Sequence, residues 1–170
     1  MPIENNDLHK AYRMTMFIGV VMIASVFVYA VVVEVLKKQH EPFGGFAPMG
    51  DVISTLRYVL LGVAAVDFFV IRILNTLMLS AKTPTRRSAM VSPFSPEAQR
   101  LMTASIVTFA LCESVAVYGL VLFLIQGYSS DFYLFMALSL FFYSVYFPKY
   151  GKWEEWIKEQ ERERARKQHS

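Results

Sequence analysis

The chain has 170 residues, 55% of them hydrophobic, a formal net charge of +3 at pH 7 and one cysteine, Cys112. A single cysteine excludes an intramolecular disulfide and a cysteine metal cluster, and the apolar blocks leave no room for a separate soluble catalytic domain. The weak positive charge comes with no nucleic-acid-binding module, because the basic residues of the C-terminal tail are interleaved with acids; no nucleic-acid partner is expected.

Four apolar blocks, Met14 to Leu36, Val59 to Leu79, Leu101 to Ile125 and Phe132 to Phe147, stand against the roughly 20 residues needed to cross a bilayer core. The fourth is the shortest. With their flanks, the spans are drawn at about 14–36, 54–79, 99–126 and 131–147. Lipid supplies no water to satisfy backbone groups, so each span should be helical. The expected fold class is all-α: an integral membrane four-helix bundle of two hairpins over residues 1–148, then a charged, amphipathic, cytoplasmic helix over 149–170. The partners this implies are the lipid bilayer and either further copies of the chain or the other subunits of a membrane complex.

Residues 1 to 11 form a polar lead-in. The first block is about twice as long as a signal-peptide core and no small-x-small cleavage site follows it, so it is expected to remain in the mature protein. Glu34 near its outer end sits beside Lys37 and Lys38 and reads as a solvated interfacial cluster. The loop from Gln39 to Asp51 carries Pro42, Gly44, Gly45, Pro48 and Gly50 and cannot be regular helix.

Span two contains Asp67, Arg72 and Asn75. Positions five apart point about 140° away from each other on a helix, so Asp67 and Arg72 look to other helices rather than to one another. Arg72 lies about 12 Å from the cytoplasmic end at Ser80 by the helical rise, and can snorkel inward or neutralise an acid. The following loop, Ala81 to Arg100, has three prolines and four basic residues. It ends in a helix start, with Ser95 as cap, Pro96 at the first position and Glu97 at the positive end of the dipole.

Span three is the stretch around which the rest is organised, since it places Glu113 in the middle of an apolar run. A charge at the centre of a lipid-spanning helix is expensive, so such residues face protein or water and are functional candidates. Counting from the cytoplasmic loop, Asp67 and Glu113 both fall about 20 Å from the inner side, and two acids at one level can share a proton or hold a cation. Asp67, Arg72 and Glu113 can equally staple helices together, and the residues alone leave both readings open.

After a short turn, Gln126 to Asp131, span four and the tail carry Tyr133, Tyr143, Tyr146, Tyr150, Trp153 and Trp156, which read as aromatic interface belts. The tail after Pro148 puts Trp153, Trp156 and Ile157 on one face and is expected to lie on the membrane surface. Thirteen basic residues flank the spans on one side against three, Lys37, Lys38 and Arg57, on the other. The positive-inside rule then puts both termini in the cytoplasm. The histidines, His9, His40 and His169, lie outside the spans, which argues against a bis-histidine haem protein. Ser25-Val26-Phe27-Val28-Tyr29 in span one repeats as Ser114-Val115-Ala116-Val117-Tyr118 in span three, with Ala24 where Glu113 stands, hinting at two parallel hairpins of which one lacks its acid.

The run Ala98 to Gly127, with Glu113, Ser114 and Tyr118-Gly119-Leu120, resembles the carboxylate-bearing helix of the c-type proteolipid of rotary ATP synthases and ATPases. The resemblance implies that Glu113 binds a transported proton or sodium ion, that Ser114 and Tyr118 orient it, and that the carbonyl of Leu111 is a further ligand. Ser114 and Tyr118 share a helix face with Glu113 at its edge, so their hydroxyls can complete a hard-cation shell. The chain departs from that family in its second span, which has only Gly62 and adds Asp67 and Arg72, in its long central loop, and in carrying the acid in the third span. The expected function is an intramembrane proton or sodium site on Glu113, assisted by Asp67, Ser114, Tyr118 and Leu111, with Arg72 as buried charge partner and no cofactor beyond the bound ion. The alternative is a non-transporting accessory subunit whose buried charges hold helices together. No nucleophile elbow, metal-ligand histidine pair or phosphate loop suggests an enzyme.

Overall fold

A computed structural model describes residues 5–40, 43–46, 52–80 and 95–168. They form five helices and, among the described residues, no strand: α1 Asn5–Gln39, α2 Val52–Ser80, α3 Pro96–Gln126, α4 Ser129–Tyr146 and α5 Tyr150–Gln168. Most of the loop after α2, with Lys82, Arg86 and Arg87, parts of the Gln39 to Asp51 loop, and His169 lie outside the described residues.

Local chemistry sets the helix ends. Asp7 in the first turn of α1 and Lys37 and Lys38 in its last both oppose the helix dipole. At α3 the Ser95 hydroxyl accepts from the Ala98 amide at 3.3 Å, Pro96 occupies the first position and Glu97 the first turn, as the residue pattern predicts. The helix stops at Gly127, whose φ of 78° suits a residue without Cβ and whose N–H donates to the Phe123 carbonyl at 2.7 Å. A Cβ on Gly127 would also strike the carbonyl of Phe43, because the segment 43–46 folds over this end of α3 and Phe46 donates its amide to the Leu124 carbonyl at 2.8 Å.

Helix α3 is apolar on all faces, and a helix of that kind is stable only when surrounded. It packs against α1, α2 and α4, and α1 also touches α4. The main core joins Val26 of α1, Ala64 and Ile71 of α2, Phe109, Cys112, Val115, Ala116 and Leu122 of α3, and Phe135, Phe142 and Tyr143 of α4. The two-hairpin expectation needs correction on this point. Helices α3 and α4 form a packed hairpin, but among the described residues α1 and α2 make no extended contact, because α3 stands between them. Close approach of α3 and α4 depends on Gly119, where a Cβ would meet the Phe135 Cβ at 2.6 Å and the Phe132 carbonyl at 3.1 Å. Gly119→Leu should therefore cost about 1–3 kcal/mol of stability. Gly62→Leu, at a position with no neighbouring atom within 4 Å, should cost far less; thermal unfolding in detergent compares the two.

Helices α1, α2 and α3 are long and apolar enough to cross a bilayer, and α4 with the start of α5, bent by 45° between them, makes a fourth candidate. The outward faces fit that reading. Phe17, Val20, Val28 and Val31 on α1 and Val66, Phe69, Ile73 and Leu77 on α2 are each more than half exposed, and a water-soluble surface rarely carries so continuous an apolar area.

The apolar face of the tail packs on the other helices. Trp153 and Ile157 are buried against Leu8 and Ala11 of α1 and Ala98 and Leu101 of α3, with Trp156, Tyr12 and Tyr150 packed around them. Two of the expected belt tyrosines turn to protein instead: Tyr143 is buried and donates to the Phe109 carbonyl at 3.0 Å, and Tyr146 donates to that of Phe68 at 3.0 Å. Only Tyr133 is exposed among the tyrosines of α4, and its hydroxyl reaches Glu34.

Candidate carboxyl site

Glu113 lies near the midpoint of α3, and Asp67 near that of α2. The Glu113 Oε1 accepts hydrogen bonds from the hydroxyls of Tyr29, at 2.7 Å, and Ser25, both on α1. The Asp67 Oδ2 accepts from the hydroxyls of Tyr118, at 3.0 Å, and Ser114, at a longer 3.5 Å, both on α3. Three helices thus meet at one level, each carboxyl reaching a neighbour's hydroxyl pair.

This corrects the shell expected from the pattern of span three. Ser114 and Tyr118 do not bracket Glu113; they hold Asp67. The reason is angular. Residues one and five positions after Glu113 lie about 100° and 140° round the helix from it, and α3 has α1 on one side and α2 on the other. The glutamate faces the first and the two hydroxyls face the second. The Leu111 carbonyl accepts from the Ser114 hydroxyl at 2.8 Å.

Ser25 and Tyr29 were visible in the sequence as one half of a repeat, yet the acid that this half serves was not. It stands on another helix. Both halves share a detail: Ser25 also reaches the Met22 carbonyl at 2.6 Å, three residues back, as Ser114 reaches that of Leu111. No protein-family model, characterised protein or solved structure matches this chain. Its site must be read from its own geometry.

Arg72 was expected as a buried charge partner and is not one. Its side chain is on the exposed face of α2, and among the described residues it pairs with neither Asp67 nor Glu113. Ion pairs among the described residues include Lys37 with Glu34, Lys158 with Glu154 and Arg57 with Asp131. The last, at 3.4 Å, ties α2 to the start of α4, where Asp131 is buried. Residue spacing offered no signal for it, because Asp131 sits in what reads as a turn. Among the described residues no group of three metal-ligating side chains occurs.

Hydrogen counting shows what the carboxyls can do. A serine hydroxyl has one proton, but Ser25 Oγ lies within bonding reach of two acceptors, the Met22 carbonyl and Glu113. If Glu113 is neutral, its own O–H serves Ser25, Ser25 serves Met22, and Tyr29 still donates to the acid. If it is ionised, Ser25 turns its proton to the carboxylate and releases Met22. One added proton is therefore absorbed by turning a single hydroxyl. Asp67 stands in the same relation to Ser114, Leu111 and Tyr118. A sodium ion among these oxygens would have to replace the direct hydroxyl–carboxyl contacts, whereas a proton keeps them.

Proposed function

We propose that this chain is a polytopic membrane protein that binds a proton reversibly at Glu113, with Ser25 and Tyr29 completing the site. The observation that carries the reading is a carboxyl at mid-helix, bonded only to hydroxyls of a neighbouring helix and paired with no cation among the described residues. A carboxylate without a cation in apolar surroundings is costly, and taking up a proton removes that cost. On this reading the four apolar segments cross the bilayer with both termini in the cytoplasm, and the chain works as a homo-oligomer or within a larger membrane complex, as the likeness of span three to rotary ATPase proteolipids suggests. The chain itself is not an enzyme in this account.

A second reading has its own support. Both carboxyls bond across helix boundaries, α1 to α3 and α3 to α2, and such links also hold a non-transporting accessory subunit together. Carbodiimides, which react with protonated carboxyls in apolar surroundings, separate the two. The experiment labels the purified protein over a pH series, with and without sodium, and maps the adducts by mass spectrometry. Labelling of Glu113 that rises as pH falls supports the proton site. Sodium protection would turn the reading to a sodium site. Absence of labelling at Glu113 at every pH, together with a lower unfolding temperature for Glu113→Gln, would replace it by the accessory subunit.

A further inference from the structure

The device that holds Glu113 occurs twice, and the second copy has its own acid. In both copies a serine reaches the carbonyl three residues before it, at 2.6 Å for Ser25 and 2.8 Å for Ser114, and a tyrosine four residues later donates to the carboxyl, at 2.7 Å for Tyr29 and 3.0 Å for Tyr118. The copies are arranged in series: α1 holds the acid of α3, and α3 holds the acid of α2. Helix α3 is therefore both held and holding, and it does so with adjacent residues, Glu113 and Ser114.

We infer that Asp67, with Ser114 and Tyr118, is a second proton-binding site of the same construction, coupled to the Glu113 site through the shared turn of α3. The inference rests on the proton reading of Glu113 for its chemistry, but its geometry is separate. Asp67 is 9% exposed, deeper than a carboxylate without a cation tolerates at low cost. The groups facing it are Ser114 and Tyr118 from α3, with Glu113 beside them. From α4 comes Tyr146, whose hydroxyl is taken by the carbonyl of Phe68. On α2 itself the nearby polar groups are Arg72, on the exposed face, and Asn75, which accepts from Thr108 at 3.3 Å. None supplies a cation to Asp67 among the described residues.

Two routes couple the sites. A negative charge on either acid disfavours one on the other, so protons leave in two steps that belong to the pair. The second route is mechanical, since a shift of α3 that changes the contacts of Glu113 also moves Ser114 against Asp67.

Infrared difference spectroscopy of the full chain in lipid, taken over a pH series, reads neutral carboxyls through their C=O stretch whether or not a reagent can reach them. The expected result is two titrating carboxyl bands, one removed by Asp67→Asn and the other by Glu113→Gln. In Glu113→Gln the half-point of the remaining band should move. Tyr118→Phe, which keeps the acid, should alter the frequency of the Asp67 band and leave that of Glu113 in place. If Asp67→Asn and Tyr118→Phe both fold and both give the spectrum of the unaltered protein at every pH, the second site is overturned while the Glu113 reading stands. If Asp67→Asn removes a band and Glu113→Gln removes none, the Glu113 reading fails and the Asp67 site survives. An unmoved half-point in Glu113→Gln overturns the coupling.

Discussion

Removing both α1 hydroxyls, by Ser25→Ala with Tyr29→Phe, should make Glu113 react with carbodiimide at neutral pH about tenfold faster or more, because each hydrogen bond to a charged group contributes about 1.5–3 kcal/mol and 1.4 kcal/mol is a factor of ten. The two hydroxyls occupy the carboxyl oxygen through direct bonds, and their removal leaves it open to the reagent. The paired substitution Ser114→Ala with Tyr118→Phe, on α3 itself, should change the rate at Glu113 much less, because those hydroxyls bond Asp67. The comparison is informative in both directions. A large acceleration from the α3 pair and none from the α1 pair would restore the arrangement that span three suggests when read alone, with Glu113, Ser114 and Tyr118 as one cluster.

The second large effect belongs to the tail. Trp153→Ala should lower stability by about 3 kcal/mol or more, the usual cost of emptying a buried tryptophan site. Its indole is 4% exposed, stacks edge-on to Tyr12 at a centroid distance of 5.4 Å, and lies among Leu8, Ala11, Ala98 and Leu101. Tyr12 adds a hydroxyl bond to the Pro148 carbonyl at 3.3 Å, so the contact joins the start of α1, the start of α3 and the entry to α5. Trp156→Ala, at a partly buried position, should cost less. Thermal unfolding of the two variants in detergent tests this order. Equal and small effects would mean that α5 rests on lipid rather than on the other helices.

Much of the architecture follows from residue order. The apolar blocks account for the four longest apolar helices, and the Ser95-Pro96-Glu97 start of α3 is where its capping chemistry puts it. Those features depend on neighbours in sequence: a side chain caps an amide three residues on, and an apolar run of sufficient length has to satisfy its backbone by itself. Glu113 and Asp67 were also recognisable, because an acid within an apolar run is conspicuous wherever the run ends up.

Their partners were decided elsewhere. A linear pattern ties Glu113 to the serine and tyrosine that follow it on the same helix, but a helix turns those hydroxyls away from the acid, and only the placement of α3 between α1 and α2 assigns Ser25 and Tyr29 to Glu113 and Ser114 and Tyr118 to Asp67. The same holds for Arg72, left on an outward face, and for Arg57, which meets Asp131 from another helix. Sequence by itself determined which residues carry charge into apolar helices and where α3 begins. Tertiary structure alone decided which hydroxyl meets which acid, because contacts across helices depend on which faces are buried together, and that follows from packing the whole apolar surface rather than from spacing along the chain.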